Sequence, residues 1–403
     1  MTARPPLEGV RVLDFTWVVA GPVATRILAD MGAEVIKVER KITGMETLGP
    51  RRTGLQGDIN RSKRSVAINM ASKEGIQLAR RLVVKSDIVI DNFSARVMRQ
   101  WGMDYDSLRE IKPDIICISM SGFGHTGPKC NYVSYGPTLQ ALAGFTLMMA
   151  NKDGAPAGYG YSYADMAGGY AGALAALFAL WHRNRTGEGQ FIDLAQFENL
   201  VFLIGPSLLD IEVNQRKQNP FGYRSQEGPA APHGVYRCRA SGQDNDRWLA
   251  ISVRSHAEWE RFVAAIGSPA WAREARFSTM FLRIQNRAEL DTLVESWTIQ
   301  HDAYDAMELL QRHRVAAGVV ANGADLCERN RQLSARNFWL TVRLPDGTPY
   351  RVTGIPFKMS NSPSAKAFCA PEPGDDNDYV LGELLRLTRA EREALVKAGA
   401  IWE

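Results

Sequence analysis

The chain has 403 residues, of which 45% are hydrophobic and 23% charged, and its formal charge is +4. This length predicts two domains. The composition is that of an ordinary globular protein, and the small net charge gives no indication of nucleic-acid binding. Five cysteines and six histidines are scattered without CxxC or HExxH spacing, so neither disulfides nor a metal site is expected. No apolar signal core or membrane span is recognised, which predicts a cytoplasmic protein that binds no membrane.

The first part of the chain alternates strands and helices in the order of a parallel α/β sheet. Strands are predicted at 10–15, 34–39, 87–91, 114–119 and 191–194, and helices at 22–31, 73–85, 95–101, 138–149, 165–183 and 195–209. This order predicts a nucleotide-type crevice at the carboxyl ends of the strands. Glu39 lies where a Rossmann protein would bind the ribose of NAD. However, the turn 16–21 lacks the GxGxxG glycines of a dinucleotide site.

The character of the sequence changes near residue 215. A polar segment at 215–232 is typical of a linker or an active-site loop. A hairpin (234–239 with 247–253) and helices at 256–266, 286–298 and 302–313 predict a small α+β domain over 225–325. A second hairpin at 338–353 and helices at 377–386 and 389–398 are expected to rejoin the first domain. The large domain would then comprise 1–220 and 326–403.

Asp165 is the strongest candidate for a reactive residue. It comes just before a long run of small and apolar residues, so it should lie at a helix N-terminus, where the helix dipole stabilises a carboxylate. Gly168, Gly169 and Gly172 are poor helix formers, which suggests that something approaches this helix closely. A carboxylate beside such a surface is a plausible nucleophile for an acyl compound, although an Asp at this position is also a common N-cap.

Cationic residues gather early in the chain, in Arg51-Arg52 and in Arg61-Ser62-Lys63-Arg64. Two interpretations are open. The cations either lie in a solvated loop or form a site for a polyanionic small molecule such as a nucleotide phosphate.

Several motifs, taken together and in order, resemble the family III CoA-transferases, the group that contains formyl-CoA transferase and carnitine CoA-transferase. They are the opening 7–15 with Ala20-Gly21-Pro22, the block 28–39 (LADMGAEVIKVE), 60–65 (NRSKRS), Asp91-Asn92-Phe93, 121–124 (SGFG), 185–190 (RTGEGQ) and the Asp165 segment. The resemblance implies a Rossmann-like large domain built from both chain ends, an inserted small domain, and a homodimer of two interlocked rings.

The resemblance also implies a reaction, the transfer of CoA from an acyl-CoA to a free carboxylic acid. Asp165 would attack the thioester to form an aspartyl anhydride, and the CoA thiolate would return to form an aspartyl-CoA thioester. Oxyanion stabilisation would come from the segment 224–234. The coenzyme A thioester is a substrate in this chemistry, and no permanently bound cofactor is expected.

The resemblance carries CoA contacts onto individual residues. Those expected to border CoA are Val18, Ala20, Arg40, Ile68, Ala71, Asn92 and Phe93, with Arg96 or Arg99 reaching a phosphate. Candidates for substrate contact are Trp17, Tyr135, Gln226 and His233, and Arg224 is a candidate partner for a second carboxylate. Tyr159, Tyr161 and Tyr163 are further candidates for an acyl pocket, or alternatively for core packing.

Alternatives remain. An α-methylacyl-CoA racemase shares this fold and needs two acid/base groups. The racemases carry a His-Asp pair where this chain has Tyr135-Gly136, and a Tyr of ordinary pKa is a poor base, so the residues favour transfer. His125, ten residues upstream of Tyr135, could in principle substitute, but nothing in the sequence places it at the site. An intramolecular CoA shift within a diacid, a non-catalytic CoA-binding regulator and a NAD-dependent oxidoreductase also stay open.

Overall fold

The computed structural model describes residues 4–40, 49–149, 155–215, 228–240 and 246–402. The chain divides into two compact units. The larger contains Met1–Thr146, Gly158–Gln218 and Leu333–Glu403, and the smaller contains Leu147–Ala157 and Asn219–Gln332.

The larger unit begins with five strands and the helices between them. Their bounds are β1 Arg11–Asp14, α1 Ala20–Asp30, β2 Glu34–Glu39, α2 Gly54–Asn60, β3 Arg64–Ala67, α3 Lys73–Val84, β4 Ile88–Asp91, α4 Val97–Gln100, α5 Tyr105–Arg109 and β5 Ile116–Ser119. The sequence pattern does not predict α2 or β3, because both are short and rich in polar residues.

The helix that carries Asp165 follows, with its neighbours. The elements are α6 Gly136–Leu142, α7 Phe145–Met148, α8 Tyr163–Thr186, β6 Gln190–Asp193, α9 Gln196–Leu203 and α10 Gly205–Asn214. The predicted single helices at 138–149 and 195–209 are each broken into two. Pro206 lies in the first turn of α10, where a proline starts a new helix readily.

Six parallel strands form the central sheet in the order β3-β2-β1-β4-β5-β6. Every residue of β4 and β5 is buried, as expected for strands covered on both faces. One face packs against α1 and α8, and the other packs against α3 and C-terminal residues such as Val380 and Leu381. The predicted α/β, Rossmann-like architecture is therefore confirmed.

The smaller unit contains an antiparallel sheet in the order β7-β8-β9. Its elements are β7 His233–Arg237, β8 Trp248–Ser252, α11 His256–Ala265, α12 Met280–Gln285, α13 Arg287–Thr298, α14 Ala303–Arg312 and β9 Ala316–Val319. Trp259, Phe262 and Leu290 are buried at its core. Leu147–Ala157, expected in the large domain, belongs to this unit.

The last part of the chain contains α15 Arg331–Ala335, the hairpin β10 Trp339–Arg343 with β11 Pro349–Thr353, and α16 Arg389–Lys397. The C-terminal segment covers the edge strand β3, where Asp376 accepts a hydrogen bond from the Ser65 N–H at 2.9 Å and Asn377 accepts one from the Ala67 N–H at 3.0 Å. These contacts satisfy an edge that would otherwise be open to another strand.

Helix α8 differs from the expectation that no segment suits a membrane. Among the described residues it is the one helix long and apolar enough to cross a bilayer, by length and composition alone. A core helix passes the same test, and the glycine-rich face of α8 is buried against α1.

Candidate active site

The carboxyl ends of β1 and β4 lie side by side at the point where the strand order reverses. In open α/β sheets the ligand crevice opens at this point. One side chain ties the two following turns together. Asn92 Oδ1 accepts a hydrogen bond from the Trp17 N–H at 2.9 Å, and Asn92 Nδ2 donates to the Trp17 carbonyl at 2.8 Å. The crevice is thus framed by two turns held in a fixed register.

The turn after β1 is also strained. Val18 has φ +61°, a region that β-branched residues rarely adopt. Such a conformation costs about 1–3 kcal/mol and persists only where the surroundings enforce it, which is common at functional sites.

A buried ion pair supports this turn from below. The Asp14 carboxylate accepts hydrogen bonds from the Thr16 N–H at 2.8 Å and the Thr25 hydroxyl at 2.7 Å, and lies 3.3 Å from Lys63 Nζ. Burial acts to raise the pKa of Asp14, but the charges of Lys37 and Lys63 and the hydroxyl donors outweigh it, so this pKa is lowered. Burial also lowers the pKa of Lys63, to about 7. The turn is therefore supported by a preorganised network of buried polar groups around Asp14.

The early cations belong to the same supporting structure, and among them Arg51 also lines the larger of the two cavities described below. Arg61 and Lys63 are fully buried. Each cation pairs with a carboxylate of the protein: Arg51 with Glu39 (2.5 Å), Arg52 with Asp375 (2.6 Å), Arg61 with Asp30 (2.9 Å), Lys63 with Asp14 (3.3 Å) and Arg64 with Asp376 (2.9 Å). They lie on or beside α2 and β3, the elements that the sequence pattern does not predict.

Glu39 is similarly engaged. Its Oε1 accepts a hydrogen bond from Arg51 at 2.5 Å and its Oε2 accepts one from the Ser65 hydroxyl at 2.7 Å. A ribose-binding acid needs an oxygen directed at the ligand. Because both oxygens have protein partners, the feature that motivated the NAD alternative has a structural explanation.

Asp165 is half-buried in the first turn of α8, three residues after the N-cap position Ser162. Burial raises the pKa of its carboxyl group, and the Ser162 hydroxyl partly opposes this effect. Across from it, α6 begins at Gly136, where an added Cβ would lie 2.8 Å from Asp165 Oδ2 and 1.7 Å from Ser162 Oγ. Only glycine leaves the carboxylate in this place.

The glycines after Asp165 admit protein rather than ligand. A Cβ on Gly169 would lie 2.5 Å from Val23 Cγ1 on α1, and a Cβ on Gly172 would lie 2.6 Å from Met120 Sδ. The expected close approach therefore exists, but it is helix packing. It fixes α8, and hence Asp165, against the helix that follows the β1 turn.

Two cavities lie over this crevice and share part of their walls. The larger, about 1040 Å³, lies over the carboxyl ends of β1, β2 and β3, and the smaller, about 160 Å³, reaches Asp165 itself. They have lining residues in common: Trp17, Val18, Phe93, Val97 and Tyr135. The arrangement suits a long ligand whose bulky end fills the larger space and whose reactive end reaches the carboxylate.

The sequence matches the model of CoA-transferase family III over residues 7–377. This protein is a family III CoA-transferase. It is 30% identical over 398 residues to the succinate–glutarate CoA-transferase of Agrobacterium fabrum, which covers 96% of this chain and 97% of that protein. It is 30% identical over 393 residues to the succinyl-CoA–D-citramalate CoA-transferase of Chloroflexus aurantiacus (96% of each chain). It is 26% identical over 420 residues to the formyl-CoA:oxalate CoA-transferase of Afipia carboxidovorans (98% of each chain).

Solved structures agree with the assignment. A CAIB/BAIF family protein from Brucella suis is 28% identical with a TM-score of 0.85, covering 94% of this chain and all (100%) of that chain. The Rv3272 structure from M. tuberculosis is 27% identical with a TM-score of 0.76, covering 93% and 99%. The family resemblance and the expectation of a CoA-transferase enzyme are confirmed.

Most residues expected to border CoA in this CoA-transferase line the two cavities. Val18, Arg40, Ile68, Ala71 and Phe93 line the larger, while Ala20 and Asn92 line the smaller with Val18 and Phe93. Arg96 and Arg99 are exposed at α4 and are not among the lining residues of either cavity.

The substrate candidates are divided. Trp17 and Tyr135 line both cavities. His233 lies on β7 of the smaller unit, with Nδ1 2.9 Å from the Ser252 hydroxyl oxygen. Gln226 and Arg224 lie outside the described residues, which include only 228–234 of the predicted segment 224–234. Gly122, Ser134 and Gln196 line the smaller cavity without having been predicted to. Of these, only Gly122 carries a sequence signal, in the SGFG motif.

The racemase alternative fits this CoA-transferase site poorly. Gly136, which the resemblance aligns with the racemase Asp, carries no acid or base group, and an added Cβ there would lie 1.7 Å from Ser162 Oγ and 2.8 Å from Asp165 Oδ2. His125 is no substitute, since its Nε2 lies 2.7 Å from the Ser119 hydroxyl oxygen and it is not a lining residue of either cavity. Within the described residues, no group of three or more His, Cys, Asp or Glu side chains could hold a metal ion.

Proposed function

We propose that this protein transfers CoA from an acyl-CoA thioester to a free carboxylic acid, with Asp165 as the nucleophile. The supporting observation is the position of Asp165, half-buried with a raised pKa, at the smaller of two joined cavities. A carboxylate removed from water is less stabilised as an anion and therefore more reactive toward a thioester.

The reaction needs no net proton transfer. An Asp165 carboxylate oxygen attacks the thioester carbonyl, the C–S bond breaks, and the electron pair leaves on the CoA sulfur, giving an aspartyl anhydride. The thiolate then attacks Cγ of Asp165, which releases the donor carboxylate and leaves an aspartyl-CoA thioester. The acceptor carboxylate attacks Cγ of that thioester, which expels the CoA thiolate and forms a second anhydride. The thiolate then attacks the acceptor acyl carbon, which gives the acceptor acyl-CoA and releases the Asp165 carboxylate.

CoA would lie with its nucleotide in the larger cavity and its pantetheine between Trp17 and Phe93. Cations among the residues that line the larger cavity are Lys37, Arg40 and Arg51. Lys37 donates to the Thr16 carbonyl and Arg51 donates to Glu39. We assign a CoA phosphate to Arg40 first because it is exposed and lines the larger cavity, whereas Arg96 and Arg99 line neither cavity.

The decisive experiment is intact-protein mass spectrometry after incubation with a panel of acyl-CoAs and a hydroxylamine quench. Hydroxylamine converts an aspartyl anhydride or thioester to a hydroxamate, so peptide mapping should place the mark on Asp165. Succinyl-CoA belongs in the panel because two relatives are named for succinate or succinyl-CoA.

The matched variants are Asp165→Ala and Glu198→Gln. Glu198 is an exposed carboxylate in the first turn of α9, as Asp165 is in α8, so its loss should leave the mark unchanged. If Asp165→Ala still became marked, or if the wild type exchanged the α-hydrogen for deuterium without any mark, transfer through Asp165 would be refuted and racemisation favoured. Isomerised product formed from the mono-CoA thioester of an unsymmetrical diacid, without added acceptor, would indicate intramolecular transfer.

We also propose a homodimer, and the interlocked form that the family resemblance implies. Large apolar side chains are exposed along α8, α9 and α10: Tyr170, Leu174, Phe178, Trp181, Phe202, Leu209 and Val213. A patch of this kind marks an interface. Interlocked chains cannot separate without unfolding, so the dimer should persist on dilution in analytical ultracentrifugation. The variant Phe202→Asp should weaken assembly, whereas Phe281→Asp in the smaller unit should not. The predicted cytoplasmic location stays a prediction.

A further inference from the structure

Helix α8 begins without the usual side-chain cap. An N-cap side chain normally accepts a hydrogen bond from the N–H of the second or third helical residue. Ser162 occupies the N-cap position of α8 but makes no side-chain cap hydrogen bond. Burial raises the pKa of the Asp165 carboxyl group, and the Ser162 hydroxyl acts on that group instead, partly opposing the effect of burial. The first N–H groups of α8 therefore need another acceptor.

Gln140 supplies such an acceptor from α6. Its Oε1 accepts a hydrogen bond from the Ala164 N–H at 3.3 Å. Ala164 is the second residue of α8 and directly precedes Asp165. Gln140 and Ala164 are both buried, so water does not replace this bond, and a buried donor left without an acceptor is destabilising. Gln140 thus does from a neighbouring helix what an N-cap side chain does within its own helix.

The spacing along α6 explains why Gln140 faces α8. Gly136 and Gln140 are four residues apart, so they lie on the same face of α6. Gly136 lies against the first turn of α8, since a Cβ added to it would be 2.8 Å from Asp165 Oδ2. Gly136 lines the smaller cavity, whereas Gln140 is not among the described lining residues of either cavity. Gln140 therefore contacts the backbone that carries Asp165 without belonging to the described walls of the site.

We propose that Gln140 is a positioning residue for Asp165. It fixes the backbone of the first turn of α8, and it leaves the Ser162 hydroxyl for the Asp165 carboxyl group. This inference rests on the proposed CoA-transfer function, in which Asp165 is the nucleophile. It gives α6 a part in holding the nucleophile, in addition to the packing of α8 against α1.

The first test is Gln140→Leu, which removes the acceptor and keeps an apolar stem. The single-turnover rate of hydroxamate formation on Asp165 is measured over a range of concentrations of succinyl-CoA, or of the panel acyl-CoA that marks the wild type fastest. A misplacement of about 1 Å can cost about 10²-fold in rate, so the limiting rate should fall at least about tenfold. The half-saturating concentration should stay within about twofold, because Gln140 is not among the described cavity-lining residues.

A limiting rate within about twofold of the wild type would overturn the positioning role while leaving the proposed function intact. A change confined to the half-saturating concentration would overturn it as well. If no acyl-CoA marked the wild type, the proposed function itself would fail.

Thr388→Ala is the matched control for stability. Thr388 caps α16 in the same unit, and its hydroxyl oxygen accepts a hydrogen bond from the Glu391 N–H at 3.3 Å. Loss of this cap should lower the Tm while the limiting rate of marking stays at the wild-type value. Equal losses of rate in Thr388→Ala and Gln140→Leu would show that general destabilisation slows marking, which would overturn the proposal.

Gln140→Glu provides a second, independent test. It keeps an acceptor for the Ala164 N–H, so the highest rate reached across the pH range should lie within about threefold of the wild type. It also places a second carboxyl group beside the first turn of α8. Two carboxylates that share a site oppose each other's ionisation, so the pH at which marking is half-maximal should rise by about one pH unit. An unshifted midpoint, or a maximal rate as low as that of Gln140→Leu, would contradict the proposal.

Discussion

The packing of α8 against α1 predicts different costs for replacing two adjacent glycines, Gly168 and Gly169, by alanine. In Gly169→Ala the new Cβ would lie 2.5 Å from Val23 Cγ1 and 3.0 Å from the Ala20 carbonyl oxygen. Carbon atoms in contact are about 3.5–4.0 Å apart, so one helix must move by about 1 Å. In Gly168→Ala the nearest atom is Gln196 Oε1 at 3.1 Å, the end of a side chain that can adjust.

The comparison cancels the effect of helix propensity. Both substitutions replace a glycine inside the same helix by alanine, which favours the helix by about 1 kcal/mol in each case. What remains is the collision in Gly169→Ala, and overpacking of this kind costs about 1–3 kcal/mol. Gly169→Ala should therefore be less stable than Gly168→Ala by about 1–3 kcal/mol, as measured by urea unfolding followed by circular dichroism.

The same movement should reach the active site. Helix α1 follows the β1 turn and α8 carries Asp165, so a shift of one helix against the other should displace the proposed nucleophile from the crevice. A displacement of about 1 Å can cost about 10²-fold in rate. Marking of Asp165 by acyl-CoA should slow accordingly in Gly169→Ala and stay near the wild-type rate in Gly168→Ala. If the two variants differed by less than about 0.5 kcal/mol and reacted alike, the packing would not be positioning Asp165.

Two further predictions concern the turn after β1. Asn92→Ala removes both hydrogen bonds to the Trp17 backbone and should lower the free energy of unfolding by about 1–3 kcal/mol, with weaker CoA binding by calorimetry; unchanged binding would refute a framing role. Lys63, whose pKa burial lowers to about 7, binds its proton in the unfolded but not the folded chain above that pH. The unfolding free energy of the wild type minus that of Lys63→Met should thus rise between pH 7.5 and 9, by at most about 1.4 kcal/mol per pH unit, and a flat difference would contradict the buried lysine.

The sheet and Asp165 are predictable because their signals are local. Parallel strands such as β4 and β5 are continuous apolar runs, and the residue before a long helix is easily placed at its N-terminus. The turns after β1 and β4 are recognisable for the same reason, since each follows directly on a strand.

The supporting ion pairs are not predictable in this way. A cluster of Arg and Lys normally indicates a solvated surface. Arg61 and Lys63 are buried because their partners Asp30 and Asp14 come from α1 and β1, distant in sequence. Only tertiary pairing distinguishes such cations from a phosphate site. The same applies to Gly169. A glycine inside a helix indicates that another group approaches closely, but it does not identify that group.

The charges along the two cavities suit the proposed reaction. Attack by Asp165 would remove a negative charge from a half-buried place and deliver it to the CoA sulfur. The lining residues described for the smaller cavity include no Lys, Arg or His, so a neutral anhydride would be favoured there over the free carboxylate. The larger cavity, where the CoA nucleotide is proposed to lie, is lined by Lys37, Arg40 and Arg51, whose charges would attract the CoA phosphates. Because that attraction would retain CoA, the released thiolate would stay near enough to attack Asp165 in the next step.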